Sequence, residues 1–426
     1  MKISILNGHL IDPANGIDQE TSLFVDAGHI ISIGESPPPG FQPDHIFDAS
    51  GKLVIPGLID LSARLGEPGF EYKADINSES LAAVSSGITT LCCPPDTSPV
   101  IDAPAEIEFI EQREEEVGLA RIHVIAALTK GLKGKQLAEV ASLKEAGCIG
   151  VSNVFAPFAS GNVVRSALAY AASHELTIFI HPEDPDLANN GCIHEGAVAT
   201  RLGLPPVPEA AETAAIGYYL PIIKLTGARA HFCRISTSEG MNMIRRARID
   251  GMPVTADVCA HQLFLTEMDA ADFNPLCHTR PPLRSQRDKD GLRKALTSAG
   301  VNAICSDHQP HELDAKLAPF PVTEPGISAL ETFLPLVLRL VEEDVLTLSE
   351  AIAMVTYKPA DILGLEQYGR LNAGAVADFC LLDPEEEWEC QPDQFASRGK
   401  NSPFRGWPFK GRITHTFVGG NLVFQR

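Results

Sequence analysis

At 426 residues and 44% apolar content, the chain has room for one large domain and a smaller companion, as an ordinary globular protein. No apolar run approaches the roughly 18 residues of a membrane span. The 34 basic and 55 acidic side chains leave a net charge of −21 with no basic cluster, which argues against nucleic acid or anionic membrane as a partner.

The N-terminus, Met1 to Gly8, turns polar too early for a signal peptide. The ten cysteines follow no framework spacing, so reduced thiols and a cytoplasmic location are expected. Short alternating runs at Lys2–Leu6, Ser22–Val25 and His29–Ile33 predict strands of a small sheet. From Leu53 the rhythm becomes strand, loop, helix. Core strands are predicted at Leu58–Leu61, Ile88–Cys93, Ile122–Ala127, Cys148–Asn153, Thr177–His181, Ala228–Ile235, Val254–Cys259 and Val301–Ser306. Helical patterns lie between them at Ala105–Val117, Gly134–Ala146, Ser166–His174, Pro208–Leu225 and Gln286–Ala299. Eight apolar strands, most followed by a helix, are the pattern of an α/β (β/α)₈ TIM barrel. After Leu363 strands return at Ala377–Leu382. Ile413–Val418 and Asn421–Gln425 flank Gly419-Gly420, which predicts a hairpin with a primed turn. The expected division is a barrel over residues 53–363 and a composite β-domain from residues 1–52 and 364–426.

Polar residues gather at the strand ends, which form the active-site rim of such barrels. The first strand runs into Asp60-Leu61-Ser62-Ala63-Arg64-Leu65-Gly66-Glu67-Pro68-Gly69. The fifth ends in His181-Pro182-Glu183, the sixth contains His231-Phe232-Cys233-Arg234, and the eighth leads into Ser306-Asp307-His308-Gln309-Pro310-His311. Ser is a poor metal ligand, and Arg brings a positive charge that repels a cation. Two histidines and a carboxylate, by contrast, suit zinc with water in its fourth place. No Gly-rich phosphate loop, Gly-x-Ser-x-Gly elbow or Cys-x-x-Cys pair offers another chemistry.

These stretches, with Thr279-Arg280-Pro281-Pro282-Leu283-Arg284 and the closing Lys400 to Trp407, resemble the dihydroorotases and related cyclic amidohydrolases over the whole chain. The resemblance implies a barrel of the amidohydrolase type. It makes His181, His231 and Asp307 residual metal-ligand positions, with Asp307 also the base position and His311 a substrate contact. It makes Ser62 and Arg64 lost ligand positions, where the family has two histidines. Gly66, Asp96 and Arg280 stand where the family has Arg, Asn and Asn. Asp96 is expected as a loop or capping residue that repels a carboxylate. No acidic or basic side chain lies between Ala146 and Val164, so the family's metal-bridging group is missing as well. Cys233 and Cys259 are expected as buried thiols near the same rim.

Losses in metal binding, bridging and substrate binding point to a non-catalytic member with no bound cofactor. The resemblance extends to the inactive dihydroorotase homologues of pseudomonad-type bacteria. Those assemble with the aspartate carbamoyltransferase catalytic chain, six plus six chains, in pyrimidine biosynthesis. Two alternatives stay open at this point: a zinc-dependent cyclic-amide hydrolase with a one-metal site, and a small-molecule sensor that kept the pocket.

Overall fold

A computed structural model describes residues 1–298 and 300–426. Eight strands, each parallel to its neighbour in chain order, form the barrel: Leu58–Asp60, Ile88–Cys93, Arg121–Ala127, Gly150–Ser152, Thr177–Ile180, Ala230–Phe232, Val254–Cys259 and Ala303–Cys305. All eight predicted strands are present, and several are shorter than expected. Their polar ends leave the ladder to bond side chains. Asn153 Oδ1 accepts from Thr129 Oγ1 at 2.6 Å, and Ser306 N donates to Asp60 at 2.8 Å.

Helices sheathe these strands, which explains their continuous apolar character. The interior is filled by Ile59, Leu61, Cys92, Ile125, Phe179, Cys259 and Cys305. The helix Tyr357–Leu363 contributes Ala360, Ile362 and Leu363 to the same cluster. First and eighth strands meet through one parallel bridge, Ala63 with His308. Arg64 N donates to His308 O at 3.0 Å and His308 N to Ser62 O at 3.1 Å. The first-strand loop is therefore also the seam of the barrel. His308 is fixed from behind: its Nδ1 accepts from Ala329 N at 3.0 Å, so Nε2 carries the proton toward Glu79 at 2.7 Å.

The predicted outer helices appear as Pro104–Val117, Gly161–Ser173, Glu209–Thr226 and Gln286–Thr297. The predicted end at Ala299 lies outside the described residues. The expected helix Gly134–Ala146 shrinks to Val140–Glu145. Gly134 sits at φ 65°, where an added Cβ would lie 2.0 Å from Pro157 O, so this stretch is a close-packed turn instead.

Both chain ends share one mixed eight-stranded sheet. Leu53–Pro56 belongs to it, running antiparallel to the start of Phe379–Glu389, so the sheet continues past Lys52. Pro408–Val418 and Asn421–Gln425 form the expected hairpin, with Gly419 and Gly420 at φ 54° and 73°. Asp378 ties sheet to barrel: it accepts from Arg121 Nε at 2.9 Å and from Gly419 N at 2.6 Å. The ten cysteines are all free. No helix among the described residues is long and apolar enough to cross a membrane.

Candidate functional site: a guanidinium-filled barrel rim

The first-strand loop delivers Ser62 and Arg64 to the same side, two residues apart. Ser62 Oγ donates to Asp307 Oδ1 at 3.4 Å. Arg64 reaches Asp96 Oδ2 through Nε at 3.0 Å and Nη2 at 2.8 Å, and its Nη1 lies 3.6 Å from Asp307 Oδ1. Asp96 was expected as a loop or capping residue that repels a carboxylate. It does lie in the loop after the second strand, and there it is the counter-ion of Arg64. Gly66 sits at φ 79°, and a Cβ there would fall 2.0 Å from Ala74 O. The loop is thus built around the absence of a side chain at this position.

Asp307 is the centre of the rim. It is 2% exposed. Arg234 Nη1 donates to its Oδ1 at 2.8 Å, and Gln309 Nε2 reaches both oxygens at 3.1 Å. Nearby Asp307 lifts the already high guanidinium pKa of Arg234 further, against the opposing effect of burial, so its charge is permanent.

Arg234 reaches this place because the sixth strand ends early, at Phe232, and Arg234 takes a left-handed φ of 57°. Asp257 holds the turn by accepting from Arg234 N. Two residues on, Ser236 and Thr237 give four hydrogen bonds to the buried Glu212 carboxylate, at 2.5–2.9 Å.

His231 is turned the other way. Its Nδ1 lies 2.8 Å from Thr255 Oγ1 and its Nε2 lies 2.9 Å from Asp257 Oδ2, with the ring fully buried. At the expected sixth-strand ligand position His231, both ring nitrogens are engaged in this structure, and Arg234 is the side chain following that strand that meets Asp307. His181 does face the rim, with its Nε2 4.0 Å from Glu183 Oε2 and neither nitrogen bonded to a side chain at hydrogen-bond distance. Burial, then the cations Arg234, Arg280 and Arg64, hold its pKa well below the ordinary histidine value.

The fourth strand supplies Phe155 where a bridging ligand was sought. Its ring centroid lies 4.2 Å from Arg280 Cζ, 4.8 Å from Arg234 Cζ and 5.8 Å from Arg64 Cζ. The edge of His181 packs on the same ring at 4.2 Å. Arg280 also pairs with Glu183, through Nε at 3.1 Å and through Nη2. Three guanidiniums therefore gather around one aromatic ring, each paired with a carboxylate. A cavity of about 250 Å³ lies above, lined by Arg64, Asp96, Phe155, Arg280, Gln309 and His311. His311 Nε2 lies 2.9 Å from Pro325 O, and burial lowers its pKa to about 4, so it is neutral at pH 7.

A dication at Asp307 does not fit this arrangement. At 4 Å from a single guanidinium it meets about 8 kcal/mol of repulsion at an effective dielectric near 20. The donor atoms of His181, His231 and Asp307 do not converge. The sets that do converge, with atoms all within 4.8 Å, include His231–Cys233–Asp257 and Cys259–His261–Asp307. Sequence reasoning gave no role at the rim to Arg234, Phe155, Glu183 or Asp257. Arg234 carried one signal, a charge near the end of the predicted strand Ala228–Ile235, which also holds Arg229 and His231.

A parallel eight-stranded barrel beside a mixed sheet built from both chain ends is the architecture of the amidohydrolase fold. The Dihydro-orotase-like family model matches residues 51–240, and that of the amidohydrolase family matches residues 327–424. The chain is 44% identical to the dihydroorotase-like protein of Pseudomonas putida, over 99% of both chains. It is 43% identical to the dihydroorotase-like protein of Pseudomonas aeruginosa over the full length of both. It is 40% identical to a dihydroorotase of Syntrophotalea carbinolica, over 100% of this chain and 99% of that one. The chain belongs to the dihydroorotase-like amidohydrolase family. Among solved structures, the L-hydantoinase of Arthrobacter aurescens shares the fold with a TM-score of 0.88, over 99% of this chain and 96% of that one, at 23% identity.

Proposed function

We propose that this chain is a non-catalytic dihydroorotase-like subunit that assembles with the aspartate carbamoyltransferase catalytic chain, six plus six, in pyrimidine biosynthesis. The observation that carries the non-catalytic part is the occupation of Asp307 by Arg234 and Arg64. A carboxylate held this way is neither a free metal ligand nor a free base. Without a metal-activated water, hydrolysis of a cyclic amide lacks its nucleophile at neutral pH. The partner is supported by likeness to the pseudomonad proteins named dihydroorotase-like. The test is co-expression with the carbamoyltransferase chain of the same organism, followed by size exclusion with light scattering and assays of both reactions. A stable complex, carbamoyltransferase activity that depends on this chain, and no dihydroorotase turnover are expected. Separate elution of the two chains overturns the partner reading.

A second reading is a zinc-dependent cyclic-amide hydrolase with a reduced site. Full-length likeness to a protein named dihydroorotase favours it. Zinc-dependent turnover of dihydroorotate or a hydantoin by this chain alone would establish it.

A further inference from the structure

We infer that Cys259, His261 and Asp307 form a latent soft-metal site, held closed by the guanidinium of Arg234. Their donor atoms all lie within 4.8 Å of one another, and all three side chains are buried. A cysteine sulfur, an imidazole and a carboxylate are a zinc-type donor set, and zinc needs only three protein ligands plus water. Cys259 closes the seventh strand and His261 follows it in a short 3₁₀ turn, so both are rigidly placed. His261 is 2% exposed, neither of its ring nitrogens meets a side-chain partner, and the backbone of Ser306 is a polar group beside it. Buried polar atoms of native proteins are nearly always paired. An imidazole without a side-chain partner beside a thiol and a carboxylate is poised for a ligand that is not a hydrogen-bonding side chain.

What closes the set is charge. Arg234 Nη1 takes Asp307 Oδ1 at 2.8 Å, and Arg64 Nη1 stands 3.6 Å from the same oxygen. Arg64 is also committed to Asp96, so Arg234 is the dominant lock. Its guanidinium neutralises the one hard anion of the set and fills the approach to it, stacked 4.8 Å from Phe155. Its N–H groups satisfy Asp307 as a metal would. The rim therefore needs no ion to hold its carboxylate. The inference rests on the reading of the site as metal-free in the wild-type chain, and is separable from the partner proposal, which complex formation tests.

The experiment measures zinc per chain by mass spectrometry of metals, and the zinc-induced shift in melting temperature, across charge-keeping and charge-removing variants. Wild type and Arg234→Lys are expected to stay metal-free, with melting temperatures indifferent to zinc and to chelator. Arg234→Gln, which removes the charge and shortens the side chain while keeping an amide donor, is expected to take up about one zinc per chain and to melt higher with zinc than without. Adding Cys259→Ser to Arg234→Gln should abolish uptake. Should Arg234→Gln fold only when zinc is supplied, the lock is equally established. Stoichiometric zinc in the wild type, uptake by Arg234→Lys equal to that of Arg234→Gln, or uptake that survives Cys259→Ser would overturn the inference. So would a folded Arg234→Gln protein that binds no zinc.

Discussion

Arg234, after the sixth strand, and Asp307, after the eighth, meet at 2.8 Å at the barrel rim, with side chains only 5% and 3% exposed. A buried pair of this kind is weak evidence for net stability, yet removing one partner strands the other charge, at about 3–5 kcal/mol. Arg234→Met should therefore destabilise the protein by about 3 kcal/mol, Arg64 retaining part of the compensation. Asp307→Asn in the Arg234→Met background should recover much of the loss. Urea unfolding of the two single variants and the double variant measures the coupling. A coupling energy near zero would mean the pair is geometrically close and energetically idle.

Restoring the family's residues at the first strand should fail at Gly66. A side chain there meets Ala74 O at 2.0 Å from its Cβ and must hold φ 79°. Gly66→Ala should cost roughly 1–3 kcal/mol from backbone conformation and overlap together, and Gly66→Arg at least as much. Thermal melts of the two variants check this. Ser62→His, Arg64→His and Gly66→Arg combined should give no dihydroorotase turnover, because Arg234 still occupies Asp307 and the fourth strand still offers Phe155. Near-normal turnover in that triple variant would refute the reading of the site.

Glu212 should be among the costliest side chains to truncate. It is 3% exposed and accepts from the backbone and hydroxyl groups of both Ser236 and Thr237. Glu212→Ala leaves four buried donors without a partner, at about 1–3 kcal/mol for each that water fails to reach. The loop it anchors follows Arg234 directly. Hydrogen exchange at Ser236 and Thr237 should accelerate along with the drop in stability.

Glu331 should make stability depend on pH. Burial pushes its carboxyl up to about 7, with Oε2 unpartnered and Oε1 accepting from Ser397 N at 2.9 Å. The folded protein holds this proton more tightly than the unfolded chain does. Its contribution is complete below the ordinary glutamate range near 4.5 and is lost as pH rises toward 7, by about 3 kcal/mol in all. Glu331→Gln should flatten that window and stabilise the protein at pH 7.5. Urea midpoints between pH 4.5 and 8 decide it; an unchanged slope in the variant assigns the dependence to another group.

The barrel was legible because a parallel strand sheathed by helices must be apolar on both faces, and eight such runs stand out in the chain. The closing hairpin was legible because two consecutive glycines between alternating runs suit one turn type. That Ser62 and Arg64 share one side of the rim needed only their spacing of two along the first strand. What the sixth strand offers the site was settled by tertiary structure alone. Strand alternation would group His231 with Cys233 and set Arg234 on the opposite face. The ladder stops at Phe232, Arg234 adopts a left-handed backbone, and Asp257 captures both the His231 ring and the Arg234 amide. A period of two holds only while a strand is paired. Beyond its last bridge the contest among buried charges decides which side chain faces the centre, and here the cation wins because Asp307 must be neutralised.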